Sequence, residues 1–213
     1  MSSFSSEDTP AGRQPPLKQA RAKRRRAQIL EVARKVIARY GLAKTTMDDI
    51  ARQAGVGKTS LYYYFGNKEE IFQAVVMEES ELLGKKIQQA VDAATDPPAK
   101  LKAFVKARYT HLRKLRTLYR ITQESVKELL PVAQSMRNHF FEREIEQIRG
   151  LLNEGIQTGS FAIVDSGPMA LVMAAGIWGL DSLAVLRGLE DEALDAIDDM
   201  VGLILRGLMP RKE

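Results

Sequence analysis

Apolar residues recur three or four positions apart over most of this chain, the spacing that lines up one face of an α-helix. The first such segment ends at Gly41, a residue suited to the position that follows a helix. Its apolar positions are Ile29, Leu30, Ala33, Val36, Ile37 and Tyr40. No segment has the sustained alternation of a strand or the turn residues of a hairpin. The pattern therefore predicts an all-α protein of about nine helices.

Two short helices are predicted between residues 46 and 65. The residues that start the first one and form its inward face are Thr46, Asp48, Asp49, Ile50, Ala51 and Ala54. Gly55 ends this helix, and the next begins near Lys58 with Leu61 and Phe65 one turn apart on its inward side. Two short helices joined by a tight turn that contains glycine form a helix-turn-helix, whose second helix enters the major groove of DNA.

Longer helices fill the rest of the chain. They are predicted from Asn67 to about Val91, from Pro97 to about Leu115, from Leu118 to Leu130, from Pro131 to Gly159, from about Pro168 to Arg187 and from about Asp191 to Leu208. The residues before the first helix are rich in Ser and Pro and offer little to bury, so residues 1–20 are expected to be a disordered tail.

Basic residues concentrate towards the amino-terminal end. Residues 1–72 carry 14 Lys and Arg against 7 Asp and Glu, a net charge of +7, whereas residues 73–213 carry 18 against 20, a net charge of −2. The densest run leads into the first helix and consists of Lys18, Arg21, Lys23, Arg24, Arg25 and Arg26. Its position beside a helix-turn-helix favours attraction to the phosphate backbone of DNA. A solvated charge run or a basic import signal is the alternative.

Composition excludes several other classes of protein. The chain has no cysteine, which excludes a disulfide scaffold, a thiol nucleophile and a cysteine-ligated metal site. Its longest nearly uncharged apolar stretch, Gly167–Leu180, is shorter than the roughly 20 residues that span a bilayer. No apolar signal segment opens the chain, so we expect a cytoplasmic location and no membrane partner. His111 and His139 are too few to indicate a metal site, and we expect no metal and no cofactor.

An enzymatic alternative rests on the segment Gly55-Val-Gly-Lys-Thr59, which matches the end of a phosphate-binding P-loop. Arg52 occupies the position of the first glycine of that motif, and the preceding segment is helical and polar where a P-loop needs a buried strand. No pair of residues suited to general acid and base catalysis is apparent. We therefore expect no catalytic residues and no enzyme.

The second helix of the motif offers hydrogen-bond donors to DNA. Because Leu61 and Phe65 face inward, the other faces carry Lys58, Thr59, Ser60, Tyr62 and Tyr63, whose hydroxyls and ammonium suit phosphate oxygens and base edges. Three consecutive helical residues span about 200° of arc, so at least one ring of Tyr62 to Tyr64 must face outward. The alternative is that these rings only stabilise a three-helix unit.

The segment from Thr45 to Phe72, with Leu61-Tyr-Tyr-Tyr-Phe65 followed by Gly-Asn-Lys68, resembles the DNA-binding domain of the TetR (tetracycline-repressor-like) family of bacterial repressors. The resemblance covers about residues 25–75. It implies that Thr46 and Lys68 hold phosphates at the starts of two helices and that Tyr63 meets the DNA backbone. The expected DNA-binding set is Arg24, Arg25, Arg26, Thr45, Thr46, Lys58, Thr59, Ser60, Tyr62, Tyr63 and Lys68.

The same resemblance implies a division of the chain into a reader and a sensor. We expect residues 21–72 to form the helix-turn-helix domain and residues 73–213 to form a ligand-binding and dimerisation bundle. The expected function is a transcriptional regulator, most simply a repressor, that binds a palindromic operator in double-stranded DNA as a dimer and is released by a small-molecule effector. The alternative is a non-specific architectural DNA-binding protein.

An effector pocket would be mostly apolar with a few polar groups. The candidate lining residues are Phe104, Arg108, Tyr109, His111, Leu112, Tyr119, Met136, Phe140, Met173, Ile177 and Trp178. For each of them the alternative is a place in the ordinary core.

A homodimer is expected to form through the last two helices. Small residues that allow close helix approach are Ala170, Ala174, Ala175, Gly176 and Gly179, and the apolar stripe of the last helix is Leu194, Ile197, Val201, Ile204, Leu205 and Leu208. The alternative is that this stripe belongs to the core of one protomer.

Overall fold

The computed structural model describes residues 16–115, 131–187 and 190–210, and these ranges contain eight α-helices and no strand. The helices are α1 (Pro16–Tyr40), α2 (Met47–Ala54), α3 (Lys58–Tyr64), α4 (Lys68–Asp92), α5 (Pro97–Leu112), α6 (Pro131–Gln157), α7 (Ser166–Arg187) and α8 (Glu190–Leu208). The predicted all-α fold is confirmed. The helix expected over residues 118–130 lies outside the described residues. Within the described part of the chain, no helix is long and apolar enough to cross a membrane.

Helix α1 begins earlier than expected. The basic run from Lys18 to Arg26 lies inside α1 and not ahead of it, and residues 16–20, expected to belong to a tail, are helical. Apolar periodicity is absent before Ile29, but Lys, Arg, Ala and Gln all have high helix propensity, so the helix continues back from its buried part. The rest of the expected tail, residues 1–15, lies outside the described residues.

The first three helices and the first turns of α4 share one apolar core, and we call this unit, residues 16–76, the head. Its most deeply buried side chains are Ile29, Leu30, Ala33, Ile50, Leu61, Ile71, Val75 and Val76. Between α2 and α3 the chain turns at Gly55, whose φ of 62° is the left-handed conformation that favours glycine. A side-chain cap starts α2 at Thr46 and another starts α4 at Asn67.

The remaining helices, with the second half of α4, form what we call the body, residues 77–210. Its core gathers side chains from all five helices: Ile87, Val91, Leu101, Phe104, Val105, Ile148, Leu152, Met173, Ala174, Ile177, Ile197 and Val201. The loop after α6 folds back, since the amide of Phe161 donates to the carbonyl of Gly155 at 3.0 Å and that of Ala162 to Leu208 at 2.7 Å. The buried Phe161 ring then fills the space beside Gly155.

Head and body are joined by continuous structure. Helix α4 passes through residue 72, where the predicted domain boundary falls, without interruption. Arg34 of α1 ties the two units together, because its Nη2 donates to Glu78 at 2.8 Å on the body half of α4. From the body, Leu112 and Met136 pack into the core of the head. A movement of α4 would therefore be felt on both sides of residue 72.

The last helix divides into two faces. Its inward residues Ile197, Val201, Leu205 and Leu208 are buried in the protomer, as are Ala170 and Ala174 of α7. This part of the stripe expected at a dimer surface is core within one chain, because helix packing in the body already covers it. The exposed apolar positions lie on the other faces of the same helices: Leu171, Val172, Ala175 and Gly179 on α7, and Ala196, Leu203 and Gly207 on α8.

Two glycines of α6 should respond in opposite ways to alanine. A Cβ at Gly155 would lie 1.9 Å from the Phe161 ring, whereas at Gly150 nothing lies within 4 Å. We expect Gly155→Ala to lower the free energy of unfolding by about 1–3 kcal/mol through overpacking. Gly150→Ala should raise it by about 0.5–1 kcal/mol, since alanine favours the helix. Denaturant unfolding at one protein concentration measures both, and a neutral Gly155→Ala would contradict close packing of the Phe161 ring against Gly155.

Candidate nucleic-acid interface and internal cleft

The starts of α2, α3 and α4 converge on one shallow concavity at the surface of the head. It is lined by Thr45, Thr46, Met47, Asp48, Lys58, Tyr62 and Lys68. Five of these seven residues belong to the expected DNA-binding set, although they are spread over 23 positions of sequence from Thr45 to Lys68. The turn at Gly55 brings them together, because it reverses the chain between the two short helices.

Thr46 and Asp49 form a reciprocal cap at the start of α2. The Thr46 hydroxyl accepts from the amide of Asp49 at 3.2 Å, and the Asp49 carboxylate accepts from the amide of Thr46 at 3.2 Å. The hydrogen bond from the Thr46 side chain to Asp49 lowers the pKa of that carboxyl. Thr46 is exposed, so it holds the helix start and still faces solvent.

Lys58 opens α3 and is paired across the turn. Its ammonium lies 2.9 Å from Asp48, and the hydrogen bond to that carboxylate raises the pKa of Lys58. Both side chains are more than half exposed. Sequence reasoning placed Asp48 only in the first turn of α2. The tight turn at Gly55 could have suggested the pair, since it returns the chain to the start of α2 ten residues later.

The side chains of Lys68 and Thr45 donate hydrogen bonds to the loop between α1 and α2. The Lys68 ammonium donates to the carbonyl oxygens of Leu42 at 3.0 Å and Thr45 at 3.1 Å. Thr45 is only 1% exposed, and its hydroxyl donates to the carbonyl of Gly41 at 2.7 Å. Thr45 therefore lies in the interior and is not available to DNA as expected, whereas Lys68 remains half-buried at the rim of the concavity.

The outward surface of α3 carries the remaining expected residues. Thr59, Ser60, Tyr62 and Tyr63 are exposed, and Tyr63 is 73% exposed, a large value for an aromatic ring. Tyr64 is half-buried and meets the Tyr63 ring edge-on at 5.1 Å. The prediction that at least one of the three rings faces outward is confirmed, since Tyr62 and Tyr63 are both exposed.

The arginines of α1 project from the helix close to the motif. Arg24, Arg25 and Arg26 are all exposed. Arg26 lies over the ring of Phe65 at 5.0 Å from its centroid, and Arg25 donates to Gln28 at 3.1 Å one turn further on. Arg26 therefore stands beside the end of α3, and its charge adds positive potential to that side of the head.

The body contains a narrow internal cleft of about 50 Å³, room for a few water molecules. It is lined by Ser80, Leu83, Gly84, Ile87, Phe104, Arg108, Leu112, Phe140, Arg143, Glu144, Gln147 and Trp178. Four of these residues lie on α4, directly after the segment that packs into the head. One helix therefore forms a wall of the cleft and part of the helix-turn-helix core.

A charged cluster contributes Arg108 and Glu144 to the lining of this cleft. The Arg108 guanidinium donates to Glu144 at 2.8 Å and to Asp181 at 2.6 Å, and all three residues are buried. Burial by itself would lower the pKa of Arg108, but the two carboxylates outweigh it and the pKa is raised. The indole of Trp178 donates to Glu144 at 2.9 Å. Removing one member would strand a buried charge, so the cluster locks α5, α6 and α7 together.

Sequence reasoning found part of this cleft. Five expected residues line it: Phe104, Arg108, Leu112, Phe140 and Trp178. Four others lie in the core and do not line it, namely Tyr109, Met136, Met173 and Ile177. His111 is half-buried near the end of α5, where burial and the charges of Lys114 and Lys86 lower its pKa. Tyr119 lies outside the described residues.

The cleft residues that sequence reasoning missed are on α4 and α6. They are Ser80, Leu83, Gly84, Ile87, Arg143, Glu144 and Gln147. Charged residues are dense around Glu144 in the sequence, a pattern that favours a solvated helix face. Hydrogen bonds from Arg108, 36 residues earlier, and from the Trp178 indole explain why this carboxylate is buried.

The glycine-rich segment of the P-loop alternative is the turn between α2 and α3. A helix and not a strand leads into it, so the context that phosphate binding by a P-loop requires is missing from this part of the structure.

Comparison with known proteins agrees with this geometry. Residues 29–75 match the family model described as bacterial regulatory proteins, tetR family. The chain is 32% identical over 141 residues to the HTH-type transcriptional repressor KstR2 of Mycolicibacterium smegmatis. The aligned residues cover 64% of this chain and 67% of that repressor.

Solved structures show the same fold over most of the chain. A transcriptional regulator from Cytophaga hutchinsonii superimposes with a TM-score of 0.72 at 28% identity, covering 86% of this chain and 98% of the other. FadR of Bacillus subtilis, in complex with stearoyl-CoA, superimposes with a TM-score of 0.68 at 22% identity, covering 84% of this chain and 96% of the other. With its helix-turn-helix head, its helical body and these relatives, the chain belongs to the TetR family of bacterial regulatory proteins.

Proposed function

We propose that this DNA-binding regulator is a repressor that binds a palindromic operator as a homodimer and leaves it when a partly apolar small molecule enters the body. The observation that carries the proposal is the surface of α3, where Lys58, Tyr62 and Tyr63 stand exposed on a helix whose buried face anchors it to the head. A rigid helix that presents donors suits the major groove.

The contacts divide by chemistry. Lys58, Thr59, Ser60 and Tyr62 face the groove, while Thr46 and Tyr63 hold phosphates around it. Lys68 attracts phosphates by its charge, because its three N–H groups already donate to the carbonyls of residues 42, 43 and 45. The arginines at 24–26 add attraction that does not depend on sequence. Thr45 is left out of this set because its hydroxyl is already bonded inside the head. Because Asp48 faces the same groove, its charge restrains Lys58 and repels phosphates that are wrongly placed.

A dimer supplies a second head, which binds the second half-site of the operator. We assign its interface to the exposed apolar face of α7 and α8, which includes Leu171 at 49%, Val172 at 59% and Leu203 at 63% exposed. Ala175 and Gly179 on α7 and Gly207 on α8 continue this face and permit close approach of helices. Two copies related by a two-fold axis would form a four-helix interface and set the two heads about one DNA turn apart.

The effector site is the internal cleft. Its apolar walls, Leu83, Ile87, Phe104, Leu112 and Phe140, suit an apolar ligand body, and the polar end at Arg108 and Glu144 suits one polar group. FadR, a relative in fold, binds stearoyl-CoA, which supports an acyl thioester as the first ligand to try. A cleft of about 50 Å³ must widen to admit such a molecule.

Widening the cleft would act on DNA through α4. Ser80, Leu83, Gly84 and Ile87 form one wall of the cleft, and Ile71 and Val75 of the same helix are buried in the head. A ligand that prefers the wide cleft therefore favours a different head position. By reciprocity, operator DNA weakens the binding of that ligand by the same factor.

Selection from a pool of random duplexes should enrich one inverted repeat. We expect a dissociation constant on the order of 10 nM at physiological salt and a steep loss of affinity as the salt concentration rises. Adding stearoyl-CoA to the preformed complex should release the DNA, as measured by fluorescence anisotropy. Strong salt dependence without any enriched sequence would contradict the proposal and favour the architectural alternative.

The Lys58–Asp48 pair gives a test of base readout. Lys58→Ala should weaken binding to the selected operator about tenfold, since one groove contact is lost. Asp48→Asn should instead strengthen binding to random duplexes, because it removes a negative charge from the interface, and the ratio of specific to non-specific affinity should fall. Lys102→Ala, an exposed lysine on α5, is the control. Equal effects of Lys58→Ala and Lys102→Ala would exclude Lys58 from the interface.

The dimer face can be tested on α8. Leu203→Arg should convert the dimer to a monomer in analytical ultracentrifugation, because it places a charge at the centre of the apolar face. The substitution should leave the far-UV circular dichroism of the protomer unchanged, since Leu203 is mostly exposed. Val164→Arg, at a fully exposed valine in the loop before α7, is the matched control. A dimer that survives Leu203→Arg would rule out this face.

A further inference from the structure

The amino-terminal part of α1 extends beyond the apolar core of the head. We call residues 16–28 the extension. The first deeply buried side chain of α1 is Ile29, and from residue 18 to residue 28 every side chain is exposed except the half-buried Ala22. Most helical stability in proteins comes from packing an apolar face. The extension has no such face, so its helix depends on other interactions.

Charge works against the helix of the extension. No Asp or Glu occurs from residue 9 to residue 30. Four pairs of cations lie one turn apart: Lys18 with Arg21, Arg21 with Arg24, Arg21 with Arg25, and Lys23 with Arg26. Like charges at these spacings destabilise a helix. No acidic residue lies in the first turn, so the positive end of the helix dipole meets only cations.

The remaining contacts place the extension beside the helix-turn-helix. Arg26 lies over Phe65 at the end of α3, and the Gln28 side chain donates to the carbonyl of Ala54 at the end of α2, at 3.4 Å. Upstream of Arg26, the side-chain hydrogen bond recorded for the described residues runs from Arg25 to Gln28 within α1 itself. The extension is thus anchored at one end, next to both helices of the motif, and is otherwise directed into solvent.

We propose that the extension docks on the phosphate backbone of duplex DNA and that phosphate charges complete its helix. The proposal rests on the DNA binding proposed above and concerns one partner, the sugar–phosphate backbone, without regard to base sequence. Phosphates neutralise the cations that repel one another, so the helical form of residues 16–28 is the bound form. In the free protein this stretch opens, because helix propensity alone does not hold so short a segment without an apolar face against the repulsion of its own cations. Ordering of the extension thereby becomes part of binding.

Amide hydrogen exchange on the full chain tests this directly. Peptides that cover residues 17–27 should exchange at least tenfold more slowly when a 30-base-pair duplex of random sequence is added at low salt. Peptides from the second half of α6, residues 148–157, whose buried side chains Ile148 and Leu152 lie in the core of the body, should not change. Raising the salt concentration should remove the protection of the extension and the DNA binding together, since both depend on the same phosphates.

A charge reversal separates helix formation from DNA contact. In Arg21→Glu, a carboxylate lies one turn before Arg24 and Arg25 and one turn after Lys18, which stabilises the helix without DNA. The amides of the extension should then be protected in the free protein, and the gain on adding DNA should shrink. The slope of log affinity against log salt should also become shallower by about 2, since one cation is lost and one anion is added. Lys102→Glu on α5 carries the same change in net charge and should alter neither quantity.

The outcomes are distinguishable. If the protein binds an enriched operator while the extension exchanges equally fast with and without DNA, this inference is wrong and the proposed function stands. Equal protection of the extension with and without DNA would also show that this inference is wrong, because the helix would then be stable by itself. If the protein binds no duplex of any sequence, both proposals fail.

Discussion

The structure depends on the burial of two ends of one helix in two different cores. In the head, Ile71, Phe72, Val75 and Val76 of α4 lie in one core with residues of α1, α2 and α3, and further along Ile87 and Val91 lie in the core of the body. Burying each such side chain contributes about 1.5–3 kcal/mol. Neither core can shift without moving the other because α4 is unbroken from Lys68 to Asp92. The Arg34–Glu78 ion pair adds a second connection between the same units.

Charge is arranged to match this division. The head exposes its cations on α1 and on the concavity at the helix starts, where Lys58 has one carboxylate partner and Lys68 has carbonyl partners. The body instead buries its main charged group, since Arg108 is enclosed by Glu144 and Asp181. A buried cluster of this kind is a poor source of stability but fixes the relative positions of the helices that carry it. The head is therefore suited to meet a polyanion, and the body to hold a defined cleft.

The helix-turn-helix was much easier to predict from the sequence than the cleft of the body. The helix-turn-helix is formed by local signals: Thr46 and Asp49 cap α2, Gly55 turns the chain, and Leu61 faces inward. Each of these is decided within a few residues, so periodicity and capping rules apply directly. The cleft is made by contacts between α4, α5, α6 and α7. Its key pair, Arg108 with Glu144, joins residues far apart in sequence, and no local pattern marks such a pair.

Two further differences have the same origin. Met173 and Ile177 on α7 looked equivalent to Trp178 as pocket residues, but the packing of the bundle buries the first two in the core and leaves Trp178 against the cleft. On α8 the apolar stripe turned out to be the inward face, while Leu203 on another face is exposed. Which side of an amphipathic helix meets its own chain depends on where its neighbours pack. The identity of an apolar residue does not show whether it will pack inside its own chain or be exposed.

The sequence by itself determined that the chain is helical, that residues 46–65 form a helix-turn-helix, that its cations concentrate at one end and that it resembles the TetR family. These follow from helix period, caps, turn residues and charge, which act over a few positions. The tertiary structure alone decided that Thr45 is buried, that Lys58 pairs with Asp48, that the buried Glu144 lines a cleft and that α4 belongs to both units. Those facts depend on how whole helices pack, and packing is set by the shape of every surface in contact at once.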